Sequence, residues 1–394
     1  MLQSHRLQRV QSPIIPAIAD LIRGHPGTIS LGQGVVNYGP PPAAVEAITQ
    51  FLADPGNHKY QGLSGIEALR DQIIQKLAAE NGIDVGDAHG NRFMVTAGGN
   101  QAFLNVVLAI LDPGDEVILP VPYYFNHEMA ITMANAHPVL VPTDSNYQLD
   151  LDAIRAAITP RTRAVVTISP NNPSGAVYPE ATLRAVNALC AEHGLTHISD
   201  EAYEYFTYDG VRHFSPASIS GACAHTISLF SMSKAYGFAS WRIGFVVFPA
   251  ELEPAMQKIQ DTVIICPPVI AQYAAIGALS QGRSFVEDKL HALAKTRAKV
   301  QSQLSILERD GLAEIPPAMG AFYFLLRLRS RLRPLACATR LICEHGVAVI
   351  PGDAFGLTAG CHLRVAYGAL QPATAMEGIG RLVAGLKALD HHEF

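Results

Sequence analysis

The sequence contains no Cys-x-x-Cys pair, no run of more than two basic residues and no proline-free apolar stretch of membrane-spanning length. Each absence removes a class of function. The six cysteines (Cys190, Cys223, Cys266, Cys337, Cys343, Cys361) are scattered through a chain too long to need disulfide staples, so they read as reduced core thiols. Without a basic stripe, and with a formal net charge of -5, nothing neutralises a phosphate backbone, which excludes nucleic acid as a partner. The uncharged stretch at 262–282 is broken by Pro267 and Pro268 and contains Gln272, so it reads as a loop followed by a buried helix, with no membrane involved. Arg6, Arg9, Pro13 and Pro16 interrupt the first residues before a signal-like apolar region can form, which implies a cytoplasmic protein. No GxGxxG follows a strand, so a nicotinamide cofactor is unsupported. "HEMAI" at 127–131 lacks the second histidine of a zinc motif, so no metal is expected, and the terminal "HHEF" reads as a frayed tail.

What is present describes a folded two-domain protein. At 394 residues the chain exceeds the ~250–300 at which one core stops growing. Apolar residues make up 49% and charged residues 16%, the balance of a chain that buries a large core. Short apolar runs at 92–96, 116–120, 164–169, 196–199, 226–230 and 244–248 alternate with helical stretches. That pattern predicts an α/β fold with a mostly parallel central sheet covered on both faces. Ser64 and Glu67 form a candidate capping box, and Gly82, Gly194 and Gly346 are expected helix stops. Beyond residue 280 a charged helix and strands near "GAFYFLLRL" and "HLRVAYG" read as a smaller α+β domain. The expected division is an N-terminal segment, 1–43, packed with the small domain, a large domain at 44–282 and the small domain at 283–394, with "YGPPP" at 38–42 as a hinge.

In such a sheet, ligands bind beyond the carboxyl ends of the strands. The residues there are Gly98, Gly99 and Asn100 opening a helix, then Asn172 in "PNNPSG", Asp200 and Tyr203 in "DEAY", and Ser231, Ser233 and Lys234 in "SMSK". Glycines followed by a helix start can admit an anion, though they also make ordinary tight turns. Asp200 could be a helix cap, Tyr203 packing, Lys234 a solvated charge and Arg364 one half of a structural ion pair. Their convergence on one edge argues otherwise.

From "ISLGQG" to "HLRVAYG" the chain resembles the class I/II aminotransferases of the fold-type I pyridoxal-phosphate enzymes. The likeness is most specific in "SMSKAYGFASWRIG", with serine three before and arginine eight after Lys234. It departs at Ser240, where glycine is common, and at "GVVNY", 34–38. The resemblance implies pyridoxal 5'-phosphate held as an imine on Lys234, which later serves as general base at the substrate Cα. It implies Asp200 at the pyridine nitrogen, Asn172 and Tyr203 at the phenolic oxygen, and Tyr124 stacked on the ring, with Tyr123 a competitor. For the phosphate it implies the backbone at Gly99 and Asn100, Ser231, Arg242 and, more weakly, Ser233. Tyr60 would reach that phosphate from the neighbouring subunit of a homodimer, and Arg364 with Gly34 would hold the substrate α-carboxylate. Asn172-Pro173 is a candidate cis bond.

The implied reaction moves an amino group from an L-amino acid to a 2-oxo acid by a ping-pong mechanism. The arginine with which aspartate-specific members of that family hold a side-chain carboxylate is not evident, since none follows residue 250 until Arg283, so the resemblance implies neutral, sulfur-containing or aromatic donors rather than acidic ones. A cysteine-conjugate β-lyase, or an amino-acid oxidase or cyclase, would use the same residues. A non-enzymatic pyridoxal-phosphate sensor would need a DNA-binding segment, for which the short apolar N-terminal segment leaves no room.

Overall fold

The computed structural model describes residues 4–390, so the "HHEF" tail lies outside the described residues. The first strand is β1 (Ile29–Ser30). It is followed by β2 (Asn91–Thr96), β3 (Glu116–Val121), β4 (His137–Pro142), β5 (Thr162–Ile168), β6 (Thr196–Asp200), β7 (Thr226–Ser231) and β8 (Gly244–Pro249). These seven form one sheet in the order β2-β8-β7-β6-β5-β3-β4. Every neighbouring pair is parallel except those made by β8, which runs antiparallel to both β2 and β7. The apolar runs are the strands they were expected to be, and alternation explains their composition. Phe93 and Val95 pack into a cluster on one face while Met94 packs on the other, and Phe245 and Val247 are likewise opposed to Val246 and Phe248. Burying each such side chain contributes ~1.5–3 kcal/mol.

Within the large sheet only β4 is not marked by an apolar run. It is an edge strand carrying Pro138 and Pro142, with Leu140 exposed, so its sequence lacks a continuous apolar run. The capping box also needs correction. The helix Glu67–Lys76 takes Ile66 as its N-cap with no side-chain cap, because the amide of Ile66 donates to Gln272 Oε1 at 2.9 Å. Ser64 instead offers its carbonyl to the Val95 amide of β2. Gly82, Gly194 and Gly346 do stop their helices, each in the left-handed conformation at φ 66°, 65° and 60°.

The C-terminal part contains β9 (Ala313–Glu314), β10 (Tyr323–Leu328), β11 (Val347–Ala348), β12 (Ile350–Pro351) and β13 (Cys361–Ala366). Four of these make a sheet in the order β12-β13-β10-β9, and β11 pairs in parallel with β1 near the N-terminus. A long helix, Val269–Arg309, joins the two sheets and is interrupted at Gly282 (φ 57°, ψ -155°), where its sequence turns from apolar to charged. The stretch at 38–42 lies against the lysine loop: Tyr38 donates its hydroxyl to the carbonyls of Lys234 and Ala235. Among the described residues no helix is long and apolar enough to cross a membrane.

Candidate active site

A cavity of about 440 Å3 opens where the carboxyl ends of β5, β6 and β7 meet the four-stranded sheet and the N-terminal segment. It is lined by Gly34, Gly99, Asn100, Tyr124, Asn172, Asp200, Tyr203, Ser231, Ser233, Lys234, Arg242 and Arg364. Two expected site residues are elsewhere. Tyr60 is 79% exposed and borders a separate surface cavity with Phe51 and Cys266. Gly98 does not line the site; it lies at φ 82°, and a Cβ there would run into the Arg242 guanidinium. Its lack of a side chain makes room for the arginine rather than for a ligand.

Local structure accounts for each position. Gly98 is the N-cap of the helix Gly99–Ile110, whose first turn has no side-chain cap, so its amides remain available to an anion. Ser231 ends β7 and caps the short helix Met232–Ala235, accepting from the Ser233 amide at 3.2 Å. Its own hydroxyl proton is not used in that bond. Arg242 precedes β8 at φ 56°, and because β8 is antiparallel, its start lies at the same sheet edge as the ends of the parallel strands. The guanidinium is braced by the carbonyls of Ala239 (2.8 Å) and Ala97 (3.3 Å) and by Ser233 Oγ (3.4 Å).

Asp200, at the end of β6, accepts from the Ala202 amide and pairs with His127 Nε2, each at 3.0 Å. His127 is 3% exposed, stacks on Phe103 with ring centroids 3.9 Å apart, and has no partner at Nδ1 among the described residues. Its proton therefore belongs on Nε2, where it is donated to Asp200. The segment "HEMAI" thus serves the site through His127, by a contact with a residue remote in sequence that no motif could signal.

Arg364, in β13, is 2% exposed. It donates to Asn172 Oδ1 at 2.9 Å and to the Gly32 carbonyl at 2.7 Å, while its buried Nε has no partner among the described residues. The rings of Tyr323 and Phe355 lie 4.7 and 5.1 Å from its guanidinium carbon. The Asn172-Pro173 bond is cis, as expected. Tyr124 lines the cavity and is bonded to Asn100 and Asn126, whereas Tyr123 turns away and packs on Gly356. Burial raises the Tyr124 hydroxyl above its ordinary range.

Lys234 has one side-chain hydrogen bond, to the Gly34 carbonyl. Burial, with Arg364 and Arg242 nearby, lowers its ammonium from 10.5 to about 8, against a smaller opposing pull from Asp200. The cavity therefore holds three cationic side chains and one carboxylate, and no carboxylate among the described residues forms an ion pair with Lys234, Arg242 or Arg364. Such a site suits a polyanionic ligand. The donor set fits pyridoxal phosphate: amides, a hydroxyl and Arg242 for a phosphate, a buried carboxylate for a ring nitrogen, and an amine of lowered basicity for an aldehyde.

A family model described as aminotransferase class I and II matches residues 26–382. An aromatic aminotransferase of Arabidopsis thaliana is 33% identical over 99% of this chain and 97% of its own length. An aspartate/prephenate aminotransferase of Thermus thermophilus is 37% identical over 86% of this chain and 86% of its own. Among solved structures, a single mutant of the Thermus thermophilus aspartate aminotransferase matches with a TM-score of 0.89 at 34% identity, covering 98% of this chain and 100% of that one.

Proposed function

Because the chain belongs to the class I and II aminotransferases, which use pyridoxal phosphate, we propose that it transfers the amino group of a neutral, sulfur-containing or aromatic L-amino acid to a 2-oxo acid in two half-reactions. The observation that carries this reading is the cation inventory of the cavity. Arg242 is assigned to the phosphate, Lys234 to the aldehyde carbon and Arg364 to the α-carboxylate, so this chain's cavity offers no further cation to a carboxylate on the substrate side chain. Its remaining lining includes Ile15 and Phe125, which are apolar, and Gln33 and Asn100, which are neutral. Arg283 lies elsewhere, over the ring of Tyr205 and bonded to Glu287. The named relatives include both aromatic and aspartate/prephenate aminotransferases, and the neutral lining favours the aromatic side.

When bound, pyridoxal phosphate supplies the carbon that receives the amino group and the ring that accommodates the electron pair left at Cα. Lys234 would hold it covalently and, once displaced, would take the proton from the substrate Cα and deliver it to the former aldehyde carbon, across the transferred nitrogen. Asp200, fixed by His127 and the Ala202 amide, would keep the ring nitrogen protonated. Asn172 and Tyr203 would bind the phenolic oxygen, Tyr124 would cover the ring, and the amides of Gly99 and Asn100 with Ser231, Ser233 and Arg242 would bind the phosphate. Arg364, already oriented by Asn172 and Gly32, would engage the α-carboxylate in a two-pronged contact that places Cα near Lys234.

We also place the protein in the cytoplasm, where its six cysteines, none of them in a disulfide, stay reduced, and as a homodimer. Exposure of Tyr60 and Ile270 around the second cavity supports a shared interface through which Tyr60 serves the partner's phosphate site. The test of function mixes the holoenzyme with single amino acids in the absence of any oxo acid and follows cofactor absorbance and released 2-oxo acid. Methionine, phenylalanine or tryptophan should convert the cofactor fastest, with one oxo acid released per site. Fastest conversion by aspartate and glutamate would overturn the donor class, and release of ammonia with pyruvate would make the protein a lyase.

A further inference from the structure

The hydroxyl oxygens of Tyr203 and Tyr323 lie 2.5 Å apart, and among the described residues neither has another hydrogen-bond partner. Tyr203 follows β6 of the large sheet and Tyr323 opens β10 of the four-stranded one, so the bond joins the two sheets inside the cavity that both residues line. Both are buried, at 4% and 0% exposure. Burial raises the Tyr203 hydroxyl well above 10 and Tyr323 to about 12, which keeps both protonated. The pair thus holds two protons and spends one on the contact between them. The other has no acceptor among the described residues.

Which proton is spare follows from the surroundings. The Arg364 guanidinium lies 4.7 Å from the centre of the Tyr323 ring, where its positive charge favours donation by the Tyr323 hydroxyl. The Tyr323 oxygen is also hemmed in by the N-terminal segment, since a Cβ on Gly34 would come within 2.6 Å of it. The better donor with the less room gives its proton inward, to its neighbour.

We propose that Tyr323 is a positioning residue: it donates to the Tyr203 oxygen, turns the Tyr203 proton into the cavity and strengthens its donation to the phenolic oxygen of bound pyridoxal phosphate. The inference rests on the cofactor assignment above. In a chain of hydrogen bonds each member polarises the next, so losing the outer donor weakens the inner one. Donation to a phenolic oxygen favours its anionic form, and weakening it raises the pH at which the bound cofactor takes up a proton. Lys234, whose Nζ is 5.9 Å from the Tyr203 ring centre, and Tyr124 and Arg364 also face this hydroxyl, while Asp200 and Arg242 line the same cavity. All of them are retained when only the Tyr323 oxygen is removed.

The experiment is an absorbance titration against pH of holoenzyme carrying Tyr203→Phe, Tyr323→Phe, both changes or neither. The midpoint should be lowest in the wild type, higher in Tyr323→Phe and highest in Tyr203→Phe, and the double variant should match Tyr203→Phe alone. Gly34→Ala, which pushes on the Tyr323 oxygen without altering either tyrosine, should also raise the midpoint, and should do so only while Tyr203 is present. A merely structural Tyr323 would change the melting temperature and leave the midpoint where it was. Coincident midpoints for wild type and Tyr323→Phe, or a shift of equal size in the Tyr203→Phe background, would overturn the inference alone. Wild-type protein that takes up no pyridoxal phosphate would overturn the cofactor assignment and the inference with it.

Discussion

Lys76 and Lys234 both face the interior, and their partners could hardly differ more. Lys76 is 8% exposed, and its ammonium contacts both Glu204 oxygens at 2.5 and 2.6 Å, the Asn81 amide oxygen at 2.7 Å and the face of Phe230 at 4.7 Å. Lys234 has one backbone carbonyl. The arginines repeat the contrast. Arg297, 5% exposed, pairs with Asp209 and donates twice to the Ala318 carbonyl, whereas Arg364 has neutral acceptors and an unused buried Nε. A buried cation with its counterion in place belongs to the architecture. One without is a position kept for something that arrives.

The contrast breaks most sharply at the lysines. Lys234→Ala should cut transamination by at least the ~10²–10⁴-fold that a positioned general base contributes, and should abolish covalent retention of the cofactor, read by mass after borohydride reduction. Lys76→Met should do the reverse: turnover per folded molecule stays near wild type, while denaturant melts show a loss of about 3–5 kcal/mol from stranding Glu204. Equal loss of turnover in both variants would erase the distinction.

A smaller effect is expected at the arginines. Arg364→Lys keeps the charge but loses the planar fork, and the missing charged hydrogen bond, ~1.5–3 kcal/mol, should raise KM for the amino acid about 10- to 100-fold. Arg297→Lys should leave KM unchanged and lower the melting temperature, because its lost bonds run to Asp209 and Ala318.

The smallest effect is in pH. With its ammonium lowered to about 8, Lys234 is increasingly neutral as pH rises from below 7 toward 8 and beyond, and only the neutral amine attacks an aldehyde. Capture of pyridoxal phosphate by apoenzyme, followed by stopped-flow absorbance, should accelerate through this range and level off above it. A rate still climbing toward 10.5 would mean that Lys234 keeps the basicity of a solvated lysine.

The inner strands of the large sheet are legible because they are buried on both faces and so are largely apolar, as in β8 and in the Ile227, Leu229 and Phe230 of β7. Edge strand β4 escapes the same rule because half of it meets solvent. The capping box at Ser64 fails for a different reason: Gln272, two hundred residues on, satisfies the Ile66 amide, and local pattern cannot anticipate a tertiary donor or acceptor. The site divides in the same way. Lys234, Asp200 and Asn172 stand beside recognisable strand ends, and the motif around the lysine fixes Ser231 and Arg242. His127 and Tyr323 are found only through what they touch, because the partners that give them meaning, Asp200 and Tyr203, become neighbours on folding. Gly98 shows that a correctly singled-out glycine can have a different reason, making room for Arg242 rather than for a ligand.

The reversed strand β8 has one more consequence. Ser231 and Gly244 are paired residues on adjacent antiparallel strands, so the segment between them, which carries both Lys234 and Arg242, is a loop clamped at its two feet. The interval between the lysine and the arginine is therefore a caliper whose opening is set by loop length. Adding a residue to that loop would cost little in folding, since closure entropy grows only as the logarithm of length. The jaws, however, would no longer match the distance between a phosphate and an aldehyde carbon, and the result would be a sound fold with a misgauged grip.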